Sequence, residues 1–178
     1  MVATRGASVV LLVVAALALQ VGLFSQLAIS GVVPNLALLV VIGAAIVRGP
    51  QYGAVLGFCT GIVVDLAPPA DHVAGRWALA FVIAAYLAGL VRKDASESAT
   101  AAVATVAGCS FVATSLFALS GLVLGDPGVT VARVFTVVPL GVLYDVVIAP
   151  VVMPLVLLAF RRLDSRPLEV RANARDRI

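Results

Sequence analysis

Charged residues are scarce in this sequence. Asp, Glu, Lys and Arg make up 12% of its 178 residues, whereas apolar residues make up 62% and the mean hydropathy is +1.16. Soluble domains are about a quarter charged and about half apolar. A composition so poor in charge, with long uncharged runs, is typical of a chain inserted in a membrane. We therefore predict an all-α polytopic membrane protein, with no room for a second domain.

Residues and motifs that carry chemistry are also few. The chain has a single His, His72, and two Cys, Cys59 and Cys109, which lie inside apolar runs with no C-x-x-C pair. This pattern argues against a metal site or a disulfide. No P-loop or G-x-G-x-x-G motif occurs, and Asp65 lacks the Gly-x-Gly-Asp setting of a paired-aspartate membrane protease. We predict that the protein is not an enzyme and has no cofactor.

Six apolar runs predict a transmembrane helical domain over residues 1–162, followed by a basic tail at 163–178. The predicted spans cover about 7–24, 33–47, 50–66, 75–91, 99–124 and 140–160. The second and third are roughly 22–26 Å long, which is short for a hydrocarbon core of about 30 Å. A re-entrant hairpin is the alternative there, but it would leave Arg48 at mid-depth, which is costly. A cleaved signal peptide is the alternative for the first run.

The last apolar run covers residues 131–160 and is too long for one straight span. It contains three prolines, each of which removes a helical N–H group: Pro139, Pro150 and Pro154. We predict a short interfacial segment around Arg133, followed by a kinked span from about Leu140.

Lys and Arg residues divide unequally between the two sides of these spans. With the N-terminus inside, the inner side holds Arg5, Arg48, Arg92, Lys93 and the six arginines of residues 161–178, and the outer side holds Arg76 and Arg133. Because short cytoplasmic loops carry the excess of Lys and Arg, both termini are predicted to be cytoplasmic. The basic tail is suited to contact with anionic lipids. The sequence has no folded basic module that would indicate binding to nucleic acid.

Glycines recur at every fourth position in the third predicted span: Gly49, Gly53, Gly57 and Gly61. Residues four apart lie on nearly the same helix face, and small residues there allow another helix to approach closely. We predict a surface formed by Gly53, Gly57, Gly61 and the neighbouring Phe58. It packs either inside the bundle or against a partner helix, and both interpretations stay open.

Four polar residues at or near membrane depth are further candidates: Asn35, Asp65, Tyr144 and Asp145. Ionisable groups are costly in spans and are therefore functional candidates. Asp65 is predicted to cap its own helix end and the loop beyond it. Asp145 either carries a functional charge or forms a hydrogen bond inside the bundle, and both interpretations stay open.

Three motifs follow one another in a characteristic order. Pro34-Asn35-Leu36 begins the second span, the block from Gly53 through Gly57-Phe58 and Gly61 to Asp65 fills the third, and Tyr144-Asp145 precedes Ala149-Pro150. In this order, and over nearly the whole chain, the sequence resembles the MreD family of bacterial rod shape-determining membrane proteins. The last motif of that family often reads Tyr-Asn, whereas this chain has Tyr144-Asp145.

The resemblance implies a non-enzymatic scaffold of the cell-elongation and peptidoglycan-synthesis machinery, in the bacterial inner membrane. It implies association with an MreC-like single-span protein, and indirectly with MreB, a RodA-type glycosyltransferase and a class B penicillin-binding protein. The implied fold is similar to the substrate-binding subunits of energy-coupling-factor transporters. The alternative is therefore a vitamin-binding subunit, although few polar side chains are available to line a pocket: Asp71, His72, Arg76 and Trp77.

Overall fold

The structure, a computed structural model, describes residues 2–29, 31–67 and 73–175, and these residues form seven α-helices and no β-strand. The helices are α1 (Val2–Gly22), α2 (Leu36–Arg48), α3 (Pro50–Leu66), α4 (Arg76–Leu90), α5 (Arg92–Glu97), α6 (Ala99–Val123) and α7 (Val131–Arg175). A 3-10 turn, Phe24–Leu27, follows α1. The all-helical prediction is confirmed for the described residues, while Asp71 and His72 lie outside them.

Helix α2 forms the centre of the bundle. Every residue from Leu36 to Ile46 is buried, and α2 touches each of the other six helices. A helix that is apolar on all sides is one that other helices surround. The uncharged sequence of α2 before Arg48 therefore explains its central place.

Helices α3 and α4 pack most extensively, and glycines set their separation. A Cβ atom built on Gly57 would lie 2.7 Å from the carbonyl oxygen of Phe81, and one on Gly61 would lie 2.6 Å from the backbone nitrogen of Ala78. These distances leave no room for a side chain. The two backbones therefore touch directly, in the manner of small-residue contacts between membrane helices.

Helix α7 differs from its prediction. It continues without interruption from Val131 to Arg175, so the prediction of a separate short segment around Arg133 is wrong. Pro139, Pro150 and Pro154 lie inside it, and all three are exposed. A proline removes only one helical N–H and is tolerated in membrane helices, where local adjustments satisfy the freed carbonyl. The segment 93–98, which lies between the predicted spans 75–91 and 99–124, is largely the short helix α5.

The remaining helices lie within about one turn of their predicted bounds, except that α1 begins earlier. Two described helices are both long enough and apolar enough to cross a membrane, Ala99–Val123 and Val131–Asp164. Three apolar helices are shorter: Gly6–Gly22, Leu36–Arg48 and Arg76–Leu90. Large apolar side chains such as Phe135, Leu143 and Val147 are exposed along α7. An apolar surface of this extent is consistent with membrane insertion.

One end of the bundle gathers basic side chains, and we call it the basic end: Arg48, Arg92, Lys93, Arg161 and Arg162. Nη2 of Arg48 lies 2.9 Å from Oδ1 of Asp164, which joins the end of α2 to α7. Gly49, between α2 and α3, has φ +96°, a conformation that favours glycine. A Cβ built on it would lie 3.0 Å from Nη1 of Arg92. Short turns and one ion pair thus bring these helix ends together.

The contact at Gly57 can be tested by adding one methyl group. We expect Gly57→Ala to lower the free energy of unfolding by about 1–3 kcal/mol, because the new Cβ overlaps the backbone of Phe81. Thermal unfolding in detergent measures the change. The matched control is Gly108→Ala on α6, where no described atom lies within 4 Å of the built Cβ. Equal stability of the two variants would contradict the close α3–α4 contact.

Candidate functional site

Helix α2 begins deep inside the bundle, beside the middle of α7. Its N-cap residue, Asn35, donates its backbone N–H to Oδ1 of Asp145 over 2.7 Å. Asp145 lies roughly 21 Å along α7 from Val131 and roughly 24 Å from Arg161. The first N–H groups of any helix have no acceptor within the helix, and an N–H that is buried without one costs free energy. Protein groups must therefore accept them.

Side chains from α1, α7 and the N-cap itself provide these acceptors. Asn35 accepts the N–H of Leu38 at its own Oδ1, 3.0 Å away. Gln20, near the end of α1, accepts the N–H of Ala37 at Oε1 over 3.2 Å. Together with Asp145, they satisfy three N–H groups at the start of α2. We call Gln20, Asn35, Ser110 and Asp145 the α2 cap cluster.

Asp145 also binds α6. Its Oδ2 accepts a hydrogen bond from the hydroxyl of Ser110 over 2.5 Å, and both residues are fully buried. One carboxyl group therefore connects α2, α6 and α7. The position also suits negative charge, because the N-terminus of a helix carries a partial positive charge.

Asp65 performs the same physical task for another helix. Its Oδ2 accepts the N–H groups of Gly75 (2.8 Å) and Ala78 (3.1 Å), and its Oδ1 accepts that of Trp77 (3.1 Å). Gly75 is the N-cap residue of α4 and has no side chain with which to cap it. The carboxyl at the end of α3 thus caps the start of α4, whereas the sequence prediction placed it on its own helix end.

A buried arginine lies beside this second cap. Arg76 forms an ion pair with Asp126 in the turn after α6, and it donates to the carbonyl oxygen of Phe117 over 2.8 Å. Its guanidinium carbon lies 4.0 Å from the centre of the Phe117 ring, which in turn stacks on Trp77 at 4.2 Å. We call Arg76, Trp77, Phe117 and Asp126 the arginine cluster. It joins the start of α4 to the end of α6.

The predicted packing surface divides between two faces of α3. Gly53, Gly57 and Gly61 are buried against α2 and α4. Phe58 lies outside that contact, with 54% of its surface exposed. Tyr144 is half-buried next to Asp145.

Sequence reasoning missed several residues of these clusters. Gln20 and Ser110 are polar residues within apolar runs, so the rule that flagged Asp145 could also have flagged them. The pairing of Arg76 with Asp126, 50 positions away, left no local signal. In the described part of the chain, no group of three His, Cys, Asp or Glu side chains could hold a metal ion. The carboxyl groups instead accept hydrogen bonds that hold helix ends in place.

The family model for the rod shape-determining protein MreD matches residues 3–163. The chain belongs to the MreD family. It is therefore a membrane protein with a role in rod shape determination, from a family that is not enzymatic. No curated protein and no solved structure matches the chain. Both caps and the arginine cluster fall inside the matched residues of this MreD-family protein.

The two buried aspartates should respond differently to an Asp→Asn change. Asp65 accepts N–H groups at both carboxyl oxygens, and an amide retains only one oxygen, so we expect Asp65→Asn to cost about 1–3 kcal/mol of unfolding free energy. Asp145 accepts one N–H and one hydroxyl, and the Ser110 hydroxyl can turn to accept from an amide NH₂ group. Asp145→Asn should therefore cost less. Thermal unfolding in detergent ranks the two variants.

An exposed aspartate on α5 provides the control for this ranking. Asp94→Asn removes the same charge from the surface and should leave stability within about 0.5 kcal/mol. An equal loss in all three variants would mean that charge alone matters. A larger loss for Asp145→Asn than for Asp65→Asn would contradict the cap geometry.

The buried ion pair of the arginine cluster offers a double-variant test. Asp126→Leu leaves the Arg76 guanidinium without its carboxylate, and removal of one partner from a buried pair costs about 3–5 kcal/mol. The double variant Arg76→Met/Asp126→Leu should recover much of that stability, since neither member of the pair then leaves an uncompensated charge. A double variant less stable than Asp126→Leu alone would contradict this account, because the contacts of Arg76 with Phe117 would then outweigh the unpaired charge.

Proposed function

We propose that this MreD-family protein is a six-span scaffold of the bacterial inner membrane, with both termini in the cytoplasm. In this proposal it binds an MreC-like single-span protein within the cell-elongation machinery. Its connections to MreB, to a RodA-type glycosyltransferase and to a class B penicillin-binding protein are indirect, through that partner. The basic tail contacts anionic lipids. Family membership over residues 3–163 is the observation that carries the proposal.

The distribution of charge supports the orientation. Arg48 and Arg92 lie at the basic end with α7 residues 161–164. At the opposite end, Arg76 is buried and neutralised by Asp126, and Arg133 donates to the carbonyl of Gly128. The excess of exposed basic residues therefore belongs to one end, which the distribution of Lys and Arg in membrane proteins assigns to the cytoplasm.

The packing of α2 supports a full crossing by the short second span. Arg48 lies at the basic end, which this proposal puts at the cytoplasmic surface, and that position argues against a re-entrant hairpin. Residues 31–35, which precede α2, form irregular backbone beside the outer half of α7. Val32 is buried there, with an atom 3.8 Å from a Cβ built on Gly141. Irregular backbone is tolerated at membrane depth where protein covers it.

The two faces of α3 support a scaffold that binds a partner helix. Its glycine face is buried inside the bundle, where it packs against α2 and α4. The opposite face, which includes Val55, Phe58 and Val63, is exposed. Phe58 belongs to the motif block on which the family resemblance rests, yet it is not needed for internal packing. We therefore assign the contact with the MreC-like protein to this outward face.

Site-specific photo-crosslinking in native membranes tests the assignment. A photoreactive residue at Phe58 should crosslink to a single-span MreC-like protein, because a partner helix lies against it. The matched control is Phe111 on α6, which is exposed to a similar degree and should give no such product. Rod shape of cells that carry each variant shows whether function persists.

Two results would contradict the proposal. Crosslinking to the MreC-like protein from Phe111 but not from Phe58 would move the contact away from α3. Retention of a stoichiometric vitamin through purification, without any MreC-like partner, would favour a vitamin-binding subunit instead.

A further inference from the structure

A groove of about 810 Å³ opens between α5, α6 and α7 at the basic end. Its inner wall is apolar and includes Ala102, Val103, Ala149, Met153 and Leu157. Its polar lining includes Ser96, Glu97, Thr100 and Arg161. Neither the caps nor the arginine cluster contributes a residue to it, and Phe58 on α3 does not line it.

Alanine and proline residues, which have short side chains, account for the groove. The lining of α6 includes Ala99 and Ala102, and that of α7 includes Ala149, Pro150 and Pro154. Short side chains leave space between α6 and α7. The Ser110–Asp145 hydrogen bond holds these two helices together. The short helix α5 closes one side of the space, with Ala95 buried.

The length of the groove matches one leaflet of a bilayer. From Arg161 to Pro150, α7 rises by roughly 16 Å, which is about half of the 30 Å hydrocarbon core. The groove therefore runs from headgroup level at the basic end to about the middle of the membrane. Its volume is within the range of about 300–1,000 Å³ found for ligand pockets.

The charges of the lining suit a headgroup that carries both signs. Glu97 and Arg161 both line the groove and both are exposed. A lipid with a net negative headgroup would gain from Arg161 but would meet repulsion from Glu97. A phosphate next to an ammonium group complements both side chains.

We propose that this groove binds one zwitterionic phospholipid of the phosphatidylethanolamine class. An acyl chain lies against Ala102, Ala149 and Met153. The phosphate lies towards Arg161 and the ammonium group towards Glu97. This site is separate from contacts between the basic tail and anionic lipids.

Native mass spectrometry of the full chain, released from nanodiscs of equal phosphatidylethanolamine and phosphatidylglycerol content, tests the proposal. We expect one phosphatidylethanolamine per protein, retained severalfold over phosphatidylglycerol. Ala99→Trp fills the groove and should reduce this retention severalfold. Ala104→Trp, on an exposed part of the same helix that does not line the groove, is the control and should retain lipid as the parent does.

Charge variants keep the proposal testable if Ala99→Trp fails to fold. Glu97→Gln should abolish the preference for phosphatidylethanolamine, because the ammonium group loses its carboxylate. Arg161→Gln should lower retention of both lipids, whereas Arg162→Gln, next to it but outside the groove, should not. Lipid retention unchanged by Glu97→Gln and Arg161→Gln would overturn the proposal. So would a crosslink from Ala99 to a partner helix, while the Phe58 crosslink tests the scaffold function separately.

Discussion

The hydrogen bond between the Asn35 N–H and the Asp145 carboxyl is the interaction on which the rest of the structure depends. Helix α2 begins inside the bundle, where a buried N–H without an acceptor costs several kcal/mol. Asp145 removes that cost for one N–H, and Gln20 and the Asn35 side chain do so for two more. The start of α2 can therefore lie at the centre of the bundle, and the other helices pack around it.

Asp65, the second buried aspartate, also accepts N–H groups at the start of a helix, which in its case is α4. Asp65 accepts three N–H groups at the start of α4, and the adjacent Arg76 is neutralised by Asp126. Both buried carboxyl groups thus hold the starts of helices in place. The outward face of α3 and the groove between α6 and α7 are then available for different occupants.

Much of the fold could be predicted because it follows from composition and local pattern. The apolar runs predict helices, and the spacing of Gly53, Gly57 and Gly61 predicts a close helix contact. The continuity of α7 could not be predicted, since a proline breaks or bends a helix according to the packing around it. The partners of Asp65 and Asp145 were also beyond sequence reasoning, because both depend on where distant backbone N–H groups lie.

The sequence by itself determined that this chain is a helical membrane protein of the MreD family, with its basic residues concentrated in a few segments. Hydropathy and motif order carry that information because they depend on neighbouring residues along the chain. Only the tertiary structure decided that the glycine face of α3 is internal and that Phe58 points outward. It alone decided that each buried aspartate caps another helix. Those facts depend on contacts between segments, 110 residues apart for Asn35 and Asp145, which folding alone brings together.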